Sequence, residues 1–339
     1  MKTAVVLFNL GGPDKIKSVQ PFLFNLFNDK KIINLPNPLR FLLAKLISSR
    51  RNKEATEIYE KIGGKSPILE TTMRQADELE KWLNNNTPHE NKVFVCMRYW
   101  HPMTKAVVQS VKNYDPDNIF LLPLYPQYST ATTESSLEEW YKQSKKSKLI
   151  KTTRHICCYP SNRVFLESHI ELIEKKIKGL KNYRILFSAH GLPEITIKRG
   201  DPYQWQVEKT VDGIVQLMNE KNYTICYQSR VGPLKWIGPS TTEAIDKAIS
   251  DNVEIVIVPI AFVSDHSETL VELDIEYREY ALQKNFEKYH VVPALNINKT
   301  FISSLGNIVK QGLGCESEGN VINRICPIHF KKCKNNNAL

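Results

Sequence analysis

Two histidines and a line of carboxylates carry the chemistry of this chain. The stretch Ser264-Asp265-His266-Ser267-Glu268-Thr269-Leu270-Val271-Glu272-Leu273-Asp274 follows directly on an apolar run at residues 255–263. A short, β-branched run of that kind reads as a buried strand. An imidazole and several carboxylates thus gather where a strand ends and a helix begins. A second run, Arg184-Ile185-Leu186-Phe187, leads into Ser188-Ala189-His190-Gly191-Leu192-Pro193 and sets another histidine at a strand's carboxyl end. In open α/β sheets that end is where ligands bind. Imidazole titrates near neutral pH and can accept a proton or ligate a metal. Oxygen and imidazole donors together suit Fe2+ and Zn2+. The residue types point to a site that handles a metal ion, protons, or both.

Glu268, Glu272 and Glu276 are spaced four apart, which on an α-helix places them on one face. Like charges at that spacing repel, so the stripe either lies in solvent or meets a cation. The chain as a whole has a formal net charge of +10. In that setting an acidic line running to a strand-end histidine reads as a path for a cation.

The first half supplies different material. Arg50-Arg51 follow an amphipathic apolar segment at 39–47, and Ser66 follows Gly63-Gly64-Lys65. Met97-Arg98-Tyr99-Trp100-His101-Pro102 lies at one strand end and Pro123-Leu124-Tyr125-Pro126-Gln127-Tyr128-Ser129-Thr130 at the next. Arginine, tyrosine and serine near apolar surface suit a flat hydrophobic ligand with peripheral carboxylates. Gly63-Gly64 sits in neither a dinucleotide fingerprint nor a P-loop.

Short apolar runs alternate with helical patterns along the chain. Strands are expected at 3–10, 92–97, 118–124, 149–157, 183–189, 222–229, 254–262 and 290–295. Helices are expected at 70–84, 103–113, 134–146, 162–179, 204–220, 240–250, 267–285 and 299–312. This alternation predicts an α/β fold with parallel sheets flanked by helices. The order repeats. Val6-Leu7-Phe8-Asn9-Leu10-Gly11-Gly12-Pro13 echoes Ile185-Leu186-Phe187-Ser188-Ala189-His190-Gly191-Leu192-Pro193. Residues 94–99 echo 225–230, and 119–125 echo 255–261. Two similar domains follow, 1–155 and 156–312, with a basic cysteine-containing tail at 313–339. A cleft between them would be lined by strand-end loops from both.

Bulk properties narrow the partners. At 339 residues, with 42% apolar and 24% charged residues, the chain has the composition of an ordinary soluble globular protein of about two domains. No apolar run approaches the ~18 residues of a membrane span. The apolar start ends in Gly11-Gly12-Pro13-Asp14 without a cleavage pattern, so a first strand and a cytoplasmic protein are expected. Seven cysteines form no regular framework and read as reduced thiols. The positive charge favours an anionic partner. The chain has no zinc-finger spacing or RNA-recognition signature, which argues against nucleic acid.

Taken together, these motifs resemble the ferrochelatases, which insert ferrous iron into a porphyrin. The resemblance runs from Leu7-Phe8-Asn9-Leu10-Gly11-Gly12-Pro13 to about residue 312. Its most specific parts are residues 187–193 and 264–270, supported by Tyr125-Pro126-Gln127-Tyr128-Ser129 and by residues 231–239. It implies two Rossmann-like domains around a porphyrin cleft, with the C-terminal helix packing back on the first. It implies that His190 and Glu268 are the metal pair, that His190 accepts the pyrrole protons, and that Asp265, His266 and Glu272 surround them as an acidic network. Ser66, Arg51, Arg98, Tyr99, Tyr128 and Trp236 would hold the porphyrin. Residues 35–47 would form a lip, with Arg40 and Lys45 limiting any membrane contact to a peripheral one. Ferrous iron would be a substrate.

Some members of the family carry a [2Fe–2S] cluster on one mid-chain and three C-terminal cysteines. Here the tail reads Cys326-Pro327-Ile328-His329-Phe330-Lys331-Lys332-Cys333. His329 stands where a cysteine is expected, which puts the cluster in doubt, with Cys157, Cys158 and Cys315 as further thiols. The alternatives are a related chelatase loading cobalt or nickel, and a non-catalytic binder of haem or another anionic ligand. The sequence sets no oligomeric state.

Overall fold

The computed structural model describes residues 1–229, 234–315, 317–333 and 335. The chain divides into two compact units. The first comprises Met1–Tyr125, Ser129–Cys158 and Leu305–Asn323. The second comprises Pro126–Tyr128, Tyr159–Ser304 and the tail from Arg324.

The first unit is built on β1 (Lys2–Asn9), β2 (Glu90–Met97), β3 (Asn118–Pro123), β4 (Thr152–His155) and, from the tail, β9 (Gly319–Asn320). All pair in parallel, in the order β2-β1-β3-β4-β9. The central strands β1 and β3 are almost wholly buried, as expected of parallel strands covered on both faces. Helices α1 (Val19–Phe27), α2 (Leu39–Glu60), α3 (Ile68–Asn86), α4 (Thr104–Tyr114) and α5 (Ser135–Lys146) supply the crossovers.

The second unit has β5 (Tyr183–His190), β6 (Tyr223–Gln228), β7 (Glu254–Pro259) and β8 (Tyr289–Val291), parallel in the order β6-β5-β7-β8. Its helices are α6 (Arg163–Ile177), α7 (Glu194–Lys198), α8 (Tyr203–Met218), α9 (Thr241–Ser250) and α10 (Tyr277–Gln283). The order β2-β1-β3-β4 recurs as β6-β5-β7-β8. The three sequence echoes fall on β1 and β5, β2 and β6, β3 and β7, so the doubling is one of topology.

Helix α11 (Lys299–Leu313) begins in the second unit, and its remainder from Leu305 groups with the first. Two glycines permit that packing. A Cβ on Gly306 would fall 2.1 Å from the Trp82 ring, and one on Gly312 would fall 2.3 Å from the Phe120 ring.

The structure departs from the expected elements in several places, with α7 and β9 also unforeseen. Helix α1 has no counterpart among them. The segment 39–47, Arg50-Arg51 and Tyr59 form one 22-residue helix, α2. The helix expected at 267–285 divides into a π-helix, Glu268–Glu276, and α10. The tail is not a separate piece: residues up to Asn323 join the first unit and those from Arg324 join the second. Polar anchors explain the first part of that, since Arg154 Nε donates to the Cys315 carbonyl at 2.9 Å and Cys157 N to Asn320 Oδ1 at 3.1 Å.

Candidate metal centre

His190 is the last residue of β5. Six of the strand's eight residues are apolar or small, and its inner run is buried. The ring therefore emerges where the sheet's apolar cover stops. Gly191 then turns the chain close to its neighbour, its N–H donating to the Gln228 carbonyl at 2.9 Å. A Cβ on Gly191 would lie 2.8 Å from that carbonyl and 3.2 Å from the Trp236 ring. The Gln228 carbonyl leaves no room for a side chain at Gly191, and the Trp236 ring packs close by.

Glu268 opens the π-helix that follows β7. A π-helix closes its ring one residue later than an α-helix and recurs at functional sites. His190 Nδ1 lies 2.9 Å from Glu268 Oε2, with side-chain exposures of 37% and 25%. Burial pushes the His190 pKa down, but the charge and hydrogen bond of Glu268 outweigh it and the net direction is up. Burial pushes Glu268 up, yet His190 overrides it and holds the carboxyl at about 2. The two shifts run in opposite directions and favour an imidazolium–carboxylate pair. A divalent ion can bind there only by displacing the proton, the usual coupling between metal ligation and protonation.

The neighbours differ in role. Glu272 is clamped by Ser229 N at 2.9 Å, the Ser229 hydroxyl, Gln228 Nε2 at 3.1 Å and the Tyr277 hydroxyl at 2.9 Å. Burial, and then repulsion from Glu268, raises its pKa. His266 is 6% exposed, and its Nε2 is 4.0 Å from Glu268 Oε1. Its ring lies 4.5 Å from that of Phe262. Burial lowers its pKa despite Glu268 and Asp265, so it is neutral. Asp265 is satisfied locally: Asn296 Nδ2 donates to it at 2.6 Å and the Thr269 hydroxyl at 3.0 Å. It pins the turn that leads into the π-helix.

The residues expected to hold the porphyrin fall into two groups. Trp236 and Tyr128 lie in the second unit, and Ser66, Arg51, Arg98 and Tyr99 in the first. Arg98 and Tyr99 come together around Asp29. Arg98 Nη2 is 2.8 Å and the Tyr99 hydroxyl 2.9 Å from Asp29 Oδ2, and Arg98 Nε donates to Ser135 Oγ at 2.7 Å. The Ser135 hydroxyl also donates to Asp29. Burial raises the Asp29 pKa, but Arg98 and these donors bring it below its ordinary value. Tyr99 is 1% and Tyr128 2% exposed. Ser66 is buried, its N–H donating to the Pro13 carbonyl at 2.8 Å. Arg51 lies along α2, 3.9 Å from Glu54.

Sequence reasoning missed Asp29, Ser229 and Tyr277. Ser229 was findable, because it ends the β6 echo at a strand's carboxyl end. Asp29 and Tyr277 carry no local signal. Residues 231–233 of the segment that supports the resemblance lie outside the described residues.

The tail brings two sulfurs together, with the Cys326 thiol hydrogen-bonded to Cys333. The His329 ring stacks at 4.2 Å on Phe330. Cys157 and Cys158 have their sulfurs 3.4 Å apart. Among the described residues no group of three or more His, Cys, Asp or Glu side chains is arranged to hold a metal ion. A [2Fe–2S] cluster needs four ligands, and two sulfurs do not fit it. None of the described helices is long and apolar enough to cross a membrane.

Comparison with known proteins agrees with this geometry. The ferrochelatase family model matches residues 2–313. Ferrochelatase from Pelagibacter ubique is 53% identical over 338 residues, covering 98% of each chain. That of a Wolbachia from Drosophila simulans is 54% identical over 313 residues, covering 91% of this chain and 98% of that one. Among solved structures, SirB from Bacillus subtilis with Fe3+ aligns with a TM-score of 0.58 at 11% identity, covering 93% of this chain and 96% of that one. That likeness shows a shared chelatase fold. The family match does not favour the cobalt or nickel chelatase, nor the non-catalytic carrier. With its doubled parallel sheet and a histidine–glutamate pair at the strand ends, this chain belongs to the ferrochelatase family, whose substrates are ferrous iron and a porphyrin.

Proposed function

We propose that His190 and Glu268 are the centre through which iron enters and protons leave, with protoporphyrin as the expected porphyrin. The carrying observation is the 2.9 Å contact between His190 Nδ1 and Glu268 Oε2. It commits Nδ1 to the protein and leaves Nε2 for substrate. A porphyrin gives up two N–H protons as Fe2+ enters, so charge balances when both protons reach solvent. His190, once it has lost its own proton, accepts one from a pyrrole nitrogen. Glu268 stabilises the resulting imidazolium, and Glu272 supplies a carboxyl one step along the π-helix. Trp236, packed against Gly191, offers the macrocycle an aromatic face beside His190. Distorting the ring to expose its nitrogen lone pairs is the place where binding energy can lower the barrier.

On the porphyrin side, Arg98 acts from a fixed position. Asp29 and Ser135 hold its guanidinium, leaving its remaining N–H groups for a propionate. Arg51 and Ser66 complete that side. A cytoplasmic location belongs to the same reading.

Membrane contact, where it occurs, is peripheral and runs through α2. Leu39, Phe41, Leu42 and Leu46 are exposed there beside Arg40 and Lys45. Such contact should be released by a high-salt wash, because exposed charges are screened over ~8 Å at physiological ionic strength. The function is tested by anaerobic insertion assays with protoporphyrin and coproporphyrin against Fe2+, Co2+ and Ni2+. Preference for Fe2+ that is lost in His190→Ala supports the reading. Preference for Co2+ or Ni2+, or full turnover in His190→Ala, overturns it.

A further inference from the structure

The tail does something that a cluster-binding tail would not. Arg324 gathers the backbone around its guanidinium. Nε donates to the Cys326 carbonyl at 2.9 Å, Nη1 to Asn335 at 3.3 Å, and Nη2 reaches Pro327 at 3.1 Å, Ile328 at 3.4 Å and Phe330 at 3.1 Å. A planar fork of five donors suits such a ring of carbonyls. These bonds close the tail into a knuckle. It docks on the second unit through the Lys332 N–H to the Gly200 carbonyl at 3.1 Å. Cys326, Phe330 and Cys333 pack together against Trp205. Gln206 Nε2 donates to Cys326 Sγ at 3.1 Å, while its Oε1 accepts from Tyr128 N at 2.7 Å.

We propose that this knuckle is a thiol-oxidation site, in which a peroxide converts Cys326 and Cys333 into one intramolecular disulfide and loosens the tail from α8. Cys333 is the attacking sulfur. Its pKa is brought down to about 6, first by the Cys326 hydrogen bond, against burial, with help from the Asn335 backbone and Arg324. The thiolate is the nucleophilic form. Cys333 attacks one peroxide oxygen, the O–O bond breaks, and a sulfenic acid and water result. Cys326 then attacks that sulfur, the S–S bond forms and a second water leaves. Two thiols lose two electrons in all, and the peroxide gains them. Cys96 and Cys226 are fully buried, and desolvation pushes each thiol up to about 12, so both stay inert. Disulfide formation reorients the Cys326 sulfur that accepts from Gln206. Gln206 also holds Tyr128, and the adjoining Gln127 donates to the Ile260 carbonyl at 3.3 Å, just past β7. Oxidation therefore acts on the polar scaffold behind the strand that leads to Glu268.

The test uses the full chain, purified reduced, and hydrogen peroxide. Expected is a loss of two hydrogens in intact mass, mapped by peptide analysis to Cys326–Cys333. Cys333→Ser should slow peroxide consumption about tenfold or more, as expected when the thiolate nucleophile is removed. Cys326→Ser should leave Cys333 as a sulfenic acid that dimedone captures. Resistance of the reduced tail to proteolysis should survive a chelator. Three results would overturn the proposal: Cys157–Cys158 oxidising first, both tail thiols surviving peroxide, or iron and inorganic sulfide bound stoichiometrically to them. None of these readouts depends on the insertion assay, so the two proposals fail separately.

Discussion

In both units the third strand in chain order runs on to a π-helix and then to an α-helix. In the first unit β3 is followed by a π-helix at Thr130–Glu134 and α5; in the second, β7 is followed by Glu268–Glu276 and α10. Both π-helices carry a glutamate against a cation. Glu134 is met by Lys31 Nζ at 2.6 Å, which also reaches Glu138 at 2.8 Å. Glu268 is met by His190. Burial lowers the Lys31 pKa, but Glu134 and Glu138 raise it further, so the net shift is upward and Lys31 keeps its charge near neutral pH. His190 can change. One repeated frame thus carries a lysine–glutamate pair in one place and a histidine–glutamate pair in the other, and on the proposed reading a single side-chain type separates structure from chemistry.

Breaking the second pair should hurt turnover, and breaking the first should hurt stability. The largest effect expected is that of His190→Ala, with iron insertion falling ~10²–10⁴-fold or more while porphyrin affinity measured by fluorescence quenching is retained. Loss of affinity in parallel with rate would assign His190 to ring binding instead.

Glu268→Gln should lower kcat about 10²-fold, at the low end for a proton-transfer group, and should also reshape the pH profile. In the native protein the acid limb of kcat/KM reflects His190, whose pKa Glu268 holds up; removing that charge should move the limb to lower pH. Stability carries the same signature. The His190 contribution is present below the unfolded imidazole pKa and fades as pH rises through its raised folded value. The Glu268 contribution is present above the unfolded carboxylate pKa and fades as pH falls towards about 2. The stability gap between native protein and Glu268→Gln, read by urea denaturation, should therefore be widest between about pH 4.5 and 6.5. A gap that is flat in pH would remove the charge pairing.

Asp29→Ala leaves the Arg98 guanidinium without its carboxylate in a site where the side chains are 18% and 5% exposed. A cost of about 3 kcal/mol in urea denaturation follows, together with weaker porphyrin binding. Retained binding would mean that Arg98 needs no such frame. Glu272→Gln keeps most of its clamp and should slow insertion about tenfold or less, as a group one step from the proton transfer. Lys31→Met should change kcat least, with a stability loss of about 1 kcal/mol. A Lys31 variant as damaging to turnover as Glu268→Gln would erase the distinction between the two π-helices.

The main strands and the doubling were readable from the chain because continuous β-branched runs such as residues 255–258 and 119–122 are local signals, whereas the order of the strands in each sheet was not. The types and strand-end positions of His190 and Glu268 were readable for the same reason: the rule that places ligands at carboxyl ends needs only the strands. Helix α2 escaped notice because its apolar residues do not keep to one face. The π-helix was invisible because its wider ring depends on where Glu268 and Glu272 are tethered, and composition does not encode that. The inward turn of Arg98 and Tyr99 rests on Asp29, which lies 69 and 70 positions earlier. The clamp on Glu272 comes from Ser229, 43 positions away, and the tail's closure rests on one guanidinium reaching five carbonyls. Local pattern decides which elements form and what chemistry they carry. Which polar groups are consumed by the frame and which remain for substrate is decided by long-range partners, because a buried charge takes its pKa and its role from whatever the fold brings within hydrogen-bond reach.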